Sequence, residues 1–323
     1  MDAETIELLD ATLSQLLANE RGTAATQALR DLGWDEVITD DLASSTNVLF
    51  TVQGRVLGSS SGLDVVMSTA MGLDRWTTRV LLPQHGISLS PSSAGDLSIV
   101  GFSTGGTSAE HLAVPVQHNG TTRVALVAAD LATLRCQPVE GFDPDLGLQR
   151  WSGSCSSSEL EWIDNAHWSA ALAWGRIALA HELLGASQWM VDAAIEHVTE
   201  RHQFGRAIGS FQAVRHHLVD AHVDIAAGTL TAREAGCNPT LASSTAAKAL
   251  AGRAAATAQR SCQQVMGGIG FTWEHDLHRY IRRTLMLDAL LGSAAELTAG
   301  IGARAIADRA IAPLGDIEDE PIS

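Results

Sequence analysis

The chain has 323 residues, 46% of them hydrophobic and 18% charged, with a formal net charge of −16. That is enough apolar material for a large core, arranged as two domains or one elaborated domain. The negative balance repels nucleic acid and anionic membrane surfaces at long range and weighs against both as partners.

The N-terminus, MDAETIELLDATL, is acidic and amphipathic rather than a leader segment, and no window of about 20 residues is both apolar and uncharged. The expectation is a soluble, cytoplasmic protein. Cys136, Cys155, Cys237 and Cys262 form no C-x-x-C pair and no zinc spacing with histidine, so reduced thiols and no metal are expected.

Residues 3 to about 75 read as short helices, with Ile6, Leu9, Leu13 and Leu16–Leu17 at helical spacing. LASSTNVLFTVQGRVLG and LDVVMSTAMGL each fit a helix, although the β-branched residues of the first argue against it. From residue 77 to about 155, Pro, Gly, Ser and Thr become frequent between the short apolar runs LSIVGF, HLAVPVQ and TTRVALVAA. HNGT at 118–121 places Asn-Gly between two such runs, a hairpin signal. This segment reads as a small antiparallel β domain.

Beyond about 160 the helical period returns. Leu172, Leu179, Leu183 and Met190 share one face of a long helix, and Phe211, Val214, Leu218 and Ile225 mark a second. Gly236 is placed to end that helix and Asn238-Pro239 to start the next. TAAKALAGRAAATAQRSCQQV is the Ala-rich third, and residues 285–311 give a fourth. The fold class expected is α+β: an N-terminal helical domain (1–76), a small antiparallel β domain (77–157), a C-terminal four-helix bundle (158–314) and an acidic tail (315–323).

Two stretches of the bundle can carry binding chemistry. ERHQFGRAIGSFQ (200–212) puts Arg201, Gln203, Phe204 and Gly205 at an inter-helix junction, with Gln212 just beyond. Arginine there can grip a phosphate bidentately, and glycine permits a tight turn. QQVMGGIGF (263–271) ends a helix in Gly267, Gly268 and Gly270, where backbone can approach a ligand closely, with the Gln264 amide one turn earlier. Each alone also fits an ordinary helix turn.

Together they resemble the acyl-CoA dehydrogenase family, whose C-terminal domain pairs R-x-x-F-G and F-Q with Q-x-x-G-G-x-G-F. The resemblance covers the bundle, about half the chain. It implies FAD as cofactor, with these segments holding the adenine–pyrophosphate half of an FAD whose flavin sits on a neighbouring subunit. Arg201 would pair with the pyrophosphate, Gln203, Phe204 and Gln212 would line the same region, and Gln264 with Gly267–Gly268 would contact the dinucleotide. No G-x-G-x-x-G follows a strand, so a Rossmann site has no support.

The resemblance also exposes departures. The family's catalytic glutamate opens an E-G-T triplet that here reads Leu291-Gly292-Ser293. A subset of the family carries its base on the helix before R-x-x-F-G, and that slot is Gly175. Neither residue accepts a proton, so no catalytic residue is assigned. Neither the family's T-E-x-x-x-G-S-D-like loop nor its flavin-contacting Trp strand is found between 77 and 155, and STGGTSAE (103–110) is the closest approach.

The reading these points favour is a non-catalytic subunit of a heteromeric dehydrogenase, like those of actinobacterial steroid side-chain degradation. The partner is then a homologous subunit in an α2β2 heterotetramer, which supplies the base and binds most of the acyl-CoA. One alternative is a self-sufficient homomer with its base relocated to Glu296, Asp288 or His275. The other is a flavin-free scaffold on the same fold. The tryptophans are expected in core or interface, and Arg283 stands where the family has an aspartate.

Overall fold

The computed structural model describes residues 1–83, 96–104, 109–118, 121–163 and 168–308. Five helices come first: α1 (Ala3–Asn19), α2 (Thr23–Asp31), α3 (Trp34–Asp40), α4 (Leu42–Val56) and α5 (Gly62–Ala70). Asp2 caps α1 by accepting the Thr5 N–H, and Asp41 caps α4 by accepting that of Ser44. The cap and the burial of Val48, Leu49, Phe50 and Val52 settle α4 as helix despite its β-branched residues.

Eight strands follow: β1 (Thr78–Val80), β2 (Leu82–Pro83), β3 (Leu97–Ser103), β4 (His111–His118), β5 (Thr121–Ala128), β6 (Leu134–Pro138), β7 (Gln149–Cys155) and β8 (Glu161–Ile163). They form two four-stranded sheets, ordered β1-β4-β5-β8 and β2-β3-β7-β6. All pairings are antiparallel except the three-residue parallel contact of β1 with β4. The β4–β5 register closes at His118 opposite Thr121, the hairpin expected there; Asn119 and Gly120 themselves lie outside the described residues. Alternate residues of the two sheets, among them Leu97, Ile99, Leu112, Val114, Val127 and Trp151, meet in a second, smaller core. β8 lies past residue 157, so this sheet takes in residues that the sequence reading gave to the bundle.

The remainder is helical: α6 (Trp168–Glu200), α7 (Gln212–Cys237), α8 (Leu241–Met266), α9 (Leu277–Ala289) and α10 (Ala294–Asp308), with a short hairpin, β9 (His202–Gln203) and β10 (Arg206–Ala207), between α6 and α7. α6 is the spine of the molecule. From Ile177 to Ser187 every side of it is buried, as expected of a helix with partners all round. It packs on α4 where Gly54 faces Gly185. A Cβ on Gly185 would lie 2.1 Å from the Thr51 carbonyl oxygen, and one on Gly54 would lie 2.1 Å from that of Glu182. These backbones touch, and only glycine permits it.

Three expectations for the bundle are corrected. Gly236 stays inside α7, which runs on to Cys237. Asn238-Pro239 is only a connector: α8 starts two residues later, capped by a reciprocal Thr240–Ser243 pair. The fourth helix is two, because Leu291 (φ +56°) and Gly292 (φ +103°) turn the chain between α9 and α10. The stretch Leu277–Asp308 is long and apolar enough to cross a membrane by length and composition. That same turn breaks it, and α9 buries Leu277, Tyr280, Thr284 and Leu287 against the bundle. The acidic tail lies outside the described residues.

Candidate functional site

α6, α7 and α8 alternate in direction, so the C-terminus of α6, the N-terminus of α7 and the C-terminus of α8 lie at one end of the bundle. Sequence analysis put every candidate cofactor residue there. The β9–β10 register pairs His202 with Ala207 and Gln203 with Arg206. It leaves Phe204 (φ +54°) and Gly205 (φ +78°) as the two central residues, the pair of positive φ values a type I′ turn requires. For phenylalanine this conformation costs roughly 1 kcal/mol. Its ring is nonetheless 90% exposed, with one edge-to-face neighbour, Phe211, at 6.1 Å.

Arg201, Gln203 and Gln212 are exposed as well. Arg206 is used internally, its guanidinium 4.1 Å from the Phe211 ring centroid. At the end of α8, Gln264 is exposed, and Gly267 (φ +61°) opens a 3₁₀ turn through Phe271. Nothing lies within 4 Å of where side chains on Gly267, Gly268 or Gly205 would begin. This end of the molecule therefore offers a free guanidinium, exposed amides and bare backbone.

The two base positions lie elsewhere. Gly175 precedes Arg201 by 26 residues of α6, about 39 Å along the helix. A Cβ on Gly175 would lie 2.7 Å from Leu291 Cδ1 and 2.9 Å from Met67 Sδ, so the two slots meet and leucine fills both. The turn that presents Leu291 is clamped. Arg176 donates from Nε to the Leu291 carbonyl at 3.0 Å and from Nη1 to Thr245 Oγ1 at 2.9 Å. Lys248, fully buried, donates to the carbonyls of Asp288 at 3.1 Å and Gly292 at 3.3 Å. Burial pushes the Lys248 amine down to about 8, partly offset by the Asp288 carboxylate 3.8 Å away.

The relocated bases are otherwise engaged. Glu296 lies on α10, past the Leu291–Gly292 turn, and does not share a helix with Leu291. It caps α10, accepting from the Ser293 backbone N–H at 3.0 Å and hydroxyl at 2.9 Å. Asp288 accepts the Ala294 N–H and faces Lys248. His275 belongs to the other end of the bundle, beside Trp189, which is 14 residues and about 21 Å along α6 from Gly175.

Two turns along α6 from Gly175 the interior is polar. Glu182 accepts from Gln53 Nε2 at 3.0 Å and lies 3.6 Å from Arg283 Nη1. Arg283 also pairs with Asp143 and donates to the Gly58 carbonyl. The arginine that replaces the family's aspartate thus makes its ion pairs within this chain. Burial outweighs the arginine and raises Glu182 to about 7. The cavity beside it, lined by Leu179, Glu182, Leu287 and Leu290 among others, is about 10 Å³. That is room for one water at most.

In the β segment, Ser103 and Thr104 of STGGTSAE are buried, while residues 105–108 lie outside the described set. Two strands here bear a tryptophan. On β7, Trp151 is buried and donates its indole N–H to Ser103 Oγ at 2.9 Å. On β8, Trp162 is half-buried with the Arg123 guanidinium 4.5 Å from its ring centroid. The sequence reading missed Lys248, lost in an alanine-rich helix. It also passed over Trp273, which is 79% exposed at the α8–α9 turn.

The order of elements and the glycine-bearing segments at the bundle end define an acyl-CoA dehydrogenase-type fold. Residues 167–307 match the family described as "Acyl-CoA dehydrogenase, C-terminal domain". Acyl-CoA dehydrogenase IpdE2 of Mycobacterium tuberculosis is 30% identical over 311 residues, 91% of this chain and 95% of that protein. FadE34 of the same organism is 41% identical over 35% of this chain. A variant of the Tcur3481–Tcur3483 steroid ACAD superimposes with a TM-score of 0.76 at 21% identity, over 95% of this chain and 99% of that one. The ChsE4–ChsE5 complex from M. tuberculosis gives 0.75 at 18%, over 96% and 99%.

The chain belongs to the acyl-CoA dehydrogenase family, whose cofactor is FAD. The donor set at the bundle end fits that group. A guanidinium without an ion-pair partner among the described residues suits a pyrophosphate, and open glycine backbone permits its close approach.

Proposed function

We propose that this chain is the non-catalytic subunit of a two-chain acyl-CoA dehydrogenase and completes the adenine–pyrophosphate half of a partner's FAD site. The observation that carries this reading is the separation of its two halves. Leu291 and Gly175 pack on each other where a base would stand, while Arg201 and its neighbours stand open about 39 Å away along α6. A single dinucleotide cannot serve both places in one chain. FAD, when bound, accepts the hydride that leaves the acyl β-carbon.

The residues of this chain then bind and orient rather than move protons. Arg201 neutralises the pyrophosphate, Gln203, Phe204 and Gln212 line the same region, and Gln264 with the Gly267–Gly268 backbone contacts the dinucleotide. The absence of an acyl-sized cavity beside Leu290 among the described residues supports leaving the substrate mainly to the partner. The similarity to IpdE2 and to structures named for two chains, one of them a steroid ACAD, supports a homologous partner and a steroid-type CoA ester; the α2β2 assembly and the side-chain position are part of the proposal. A cytoplasmic location is part of this reading.

The test is the flavin absorbance of the chain purified alone and together with a full-length homologue. The expected result is a colourless lone chain and a complex with about one FAD per pair of chains. Arg201→Ala should lower FAD affinity of the complex about 100-fold, the scale of a lost charge-assisted bidentate pair. A yellow lone chain that an acyl-CoA bleaches would sink the proposal in favour of a self-sufficient enzyme.

A further inference from the structure

We propose that Trp273 is a stacking wall for the adenine ring of the dinucleotide, held for that purpose by His278 and Arg282. This rests on the reading of the chain as a contributor to a partner's FAD site and adds to it a residue that neither motif contains.

Trp273 lies two residues past the glycine-rich 3₁₀ turn Gly267–Phe271. Although 79% exposed, it is held on two sides. The Arg282 guanidinium stands over the ring at 5.1 Å, and the His278 ring meets it nearly edge-on at 4.5 Å and 69°. His278 and Arg282 are four residues apart on α9, so both project from one face of a rigid helix. Each is anchored in turn. His278 Nδ1 lies 2.9 Å from the His275 carbonyl oxygen, and Arg282 Nε donates to the His278 carbonyl at 3.3 Å.

An indole that merely covered core would be buried, whereas this one is exposed and held by an arginine and an edge-on imidazole. A wide aromatic surface next to a guanidinium suits a planar base attached to phosphates. The base stacks on the ring and Arg282 favours the phosphate side. The position agrees, because Trp273 follows the Gly267–Phe271 turn and its near neighbour His275 acts electrostatically, like Arg201, on His197 in the last turn of α6. Of the two acids beside Trp273 in sequence, Glu274 is exposed and Asp276, the N-cap of α9, is turned to Arg279 at 3.3 Å.

The test uses the apo-complex of this chain with its full-length homologue, titrated with FAD and separately with FMN, which lacks adenine, by flavin fluorescence. Trp273→Ala should weaken FAD about tenfold or more and leave FMN unchanged, so the preference for FAD over FMN shrinks by the same factor. Trp273→Phe should recover most of the loss, and sedimentation of the complex should not change. Unchanged FAD affinity, equal weakening of FAD and FMN, or dissociation of the complex would each overturn the proposal. Dissociation would make Trp273 a protein contact. Arg201→Ala separates the two levels. If it weakens FAD while Trp273→Ala does not, only the stacking role fails. If neither weakens FAD, the subunit reading fails with it.

Discussion

The two ends of α6 are treated in opposite ways. Near Gly175 the space is filled. Leu291 plugs it, Met67 backs it, and Arg176 and Lys248 tie down the turn that presents the plug. Near Arg201 the surface is left unfinished, with a strained, exposed phenylalanine, open glycines and a pinned but uncovered tryptophan. A filled interior serves the stability of this chain alone. Exposed aromatic groups and free cations contribute little to that stability, so their presence points to something outside the chain. The contrast predicts that substitutions at the first end should act on folding and those at the second on assembly or cofactor.

The largest effect should come from the interior. Gly185→Val forces atoms into the Thr51 carbonyl, and neither backbone can yield without separating α4 from α6. We expect a loss above about 4 kcal/mol, read as collapse of the thermal midpoint or failure to express as soluble protein. A variant within about 1 kcal/mol of the parent would mean that the helices can part cheaply. Next is Leu291→Glu, which restores a carboxylate to the family's base position. Here it would enter an apolar socket against Met67 and cost roughly 2–4 kcal/mol. Because the cavity beside the neighbouring Leu290 is only about 10 Å³, the variant chain alone should not bleach FAD with an acyl-CoA. Bleaching would show that the socket opens to substrate.

A smaller effect should appear with pH at Glu182. Burial raises this group from 4.5 to about 7, with Gln53 and Arg283 against it and Asp143 sharing the arginine. Between those values the folded chain holds a proton that the unfolded chain has released. The stabilisation is therefore complete below about pH 4.5, falls as pH rises to about 7, and is level above that. The loss across the window is of order 3 kcal/mol. Glu182→Gln should make the fall in stability between pH 5 and pH 7.5 in urea unfolding shallower, the remainder being due to groups such as buried Asp64, which is also raised to about 7. Equal slopes for variant and parent would place the ionisation elsewhere.

Much of the fold was legible in the sequence because it rests on local signals. The N-terminal helices, the Asn-Gly hairpin and the long helices of the bundle follow from period, turn residues and caps. The errors arose where tertiary contact overrides a local signal. Gly236 fits within a helix as readily as it ends one, and Thr240 with Ser243 makes a better cap than Asn238. The break at Leu291 did carry a local signal that the sequence reading overlooked, Gly292 followed by the Ser293–Glu296 capping box; Lys248 and Arg176, far away in sequence, hold the turn in place. For the candidate site, the motifs located the residues of the open end. They could not show that the two empty base positions touch, since Gly175 and Leu291 are 116 residues apart. Nor could composition distinguish an exposed tryptophan from the buried ones.

The smallest effect on folding should come from Phe204→Gly. The backbone at +54° favours glycine, and the ring is 90% exposed with one edge contact. The lost contact and the relieved strain are each about 1 kcal/mol or less and act in opposite directions, so thermal stability of the lone chain should change by less than about 1 kcal/mol. The type I′ turn should persist, because glycine suits both of its central positions. If the ring is kept for a ligand or a partner, the same variant should weaken FAD retention or subunit association in the complex by several-fold. A variant neutral in both assays would leave Phe204 as an unexplained strained residue and would remove the hairpin tip from the binding surface. A stable chain with a weakened complex would show the two ends of α6 serving different masters, fold at one and assembly at the other.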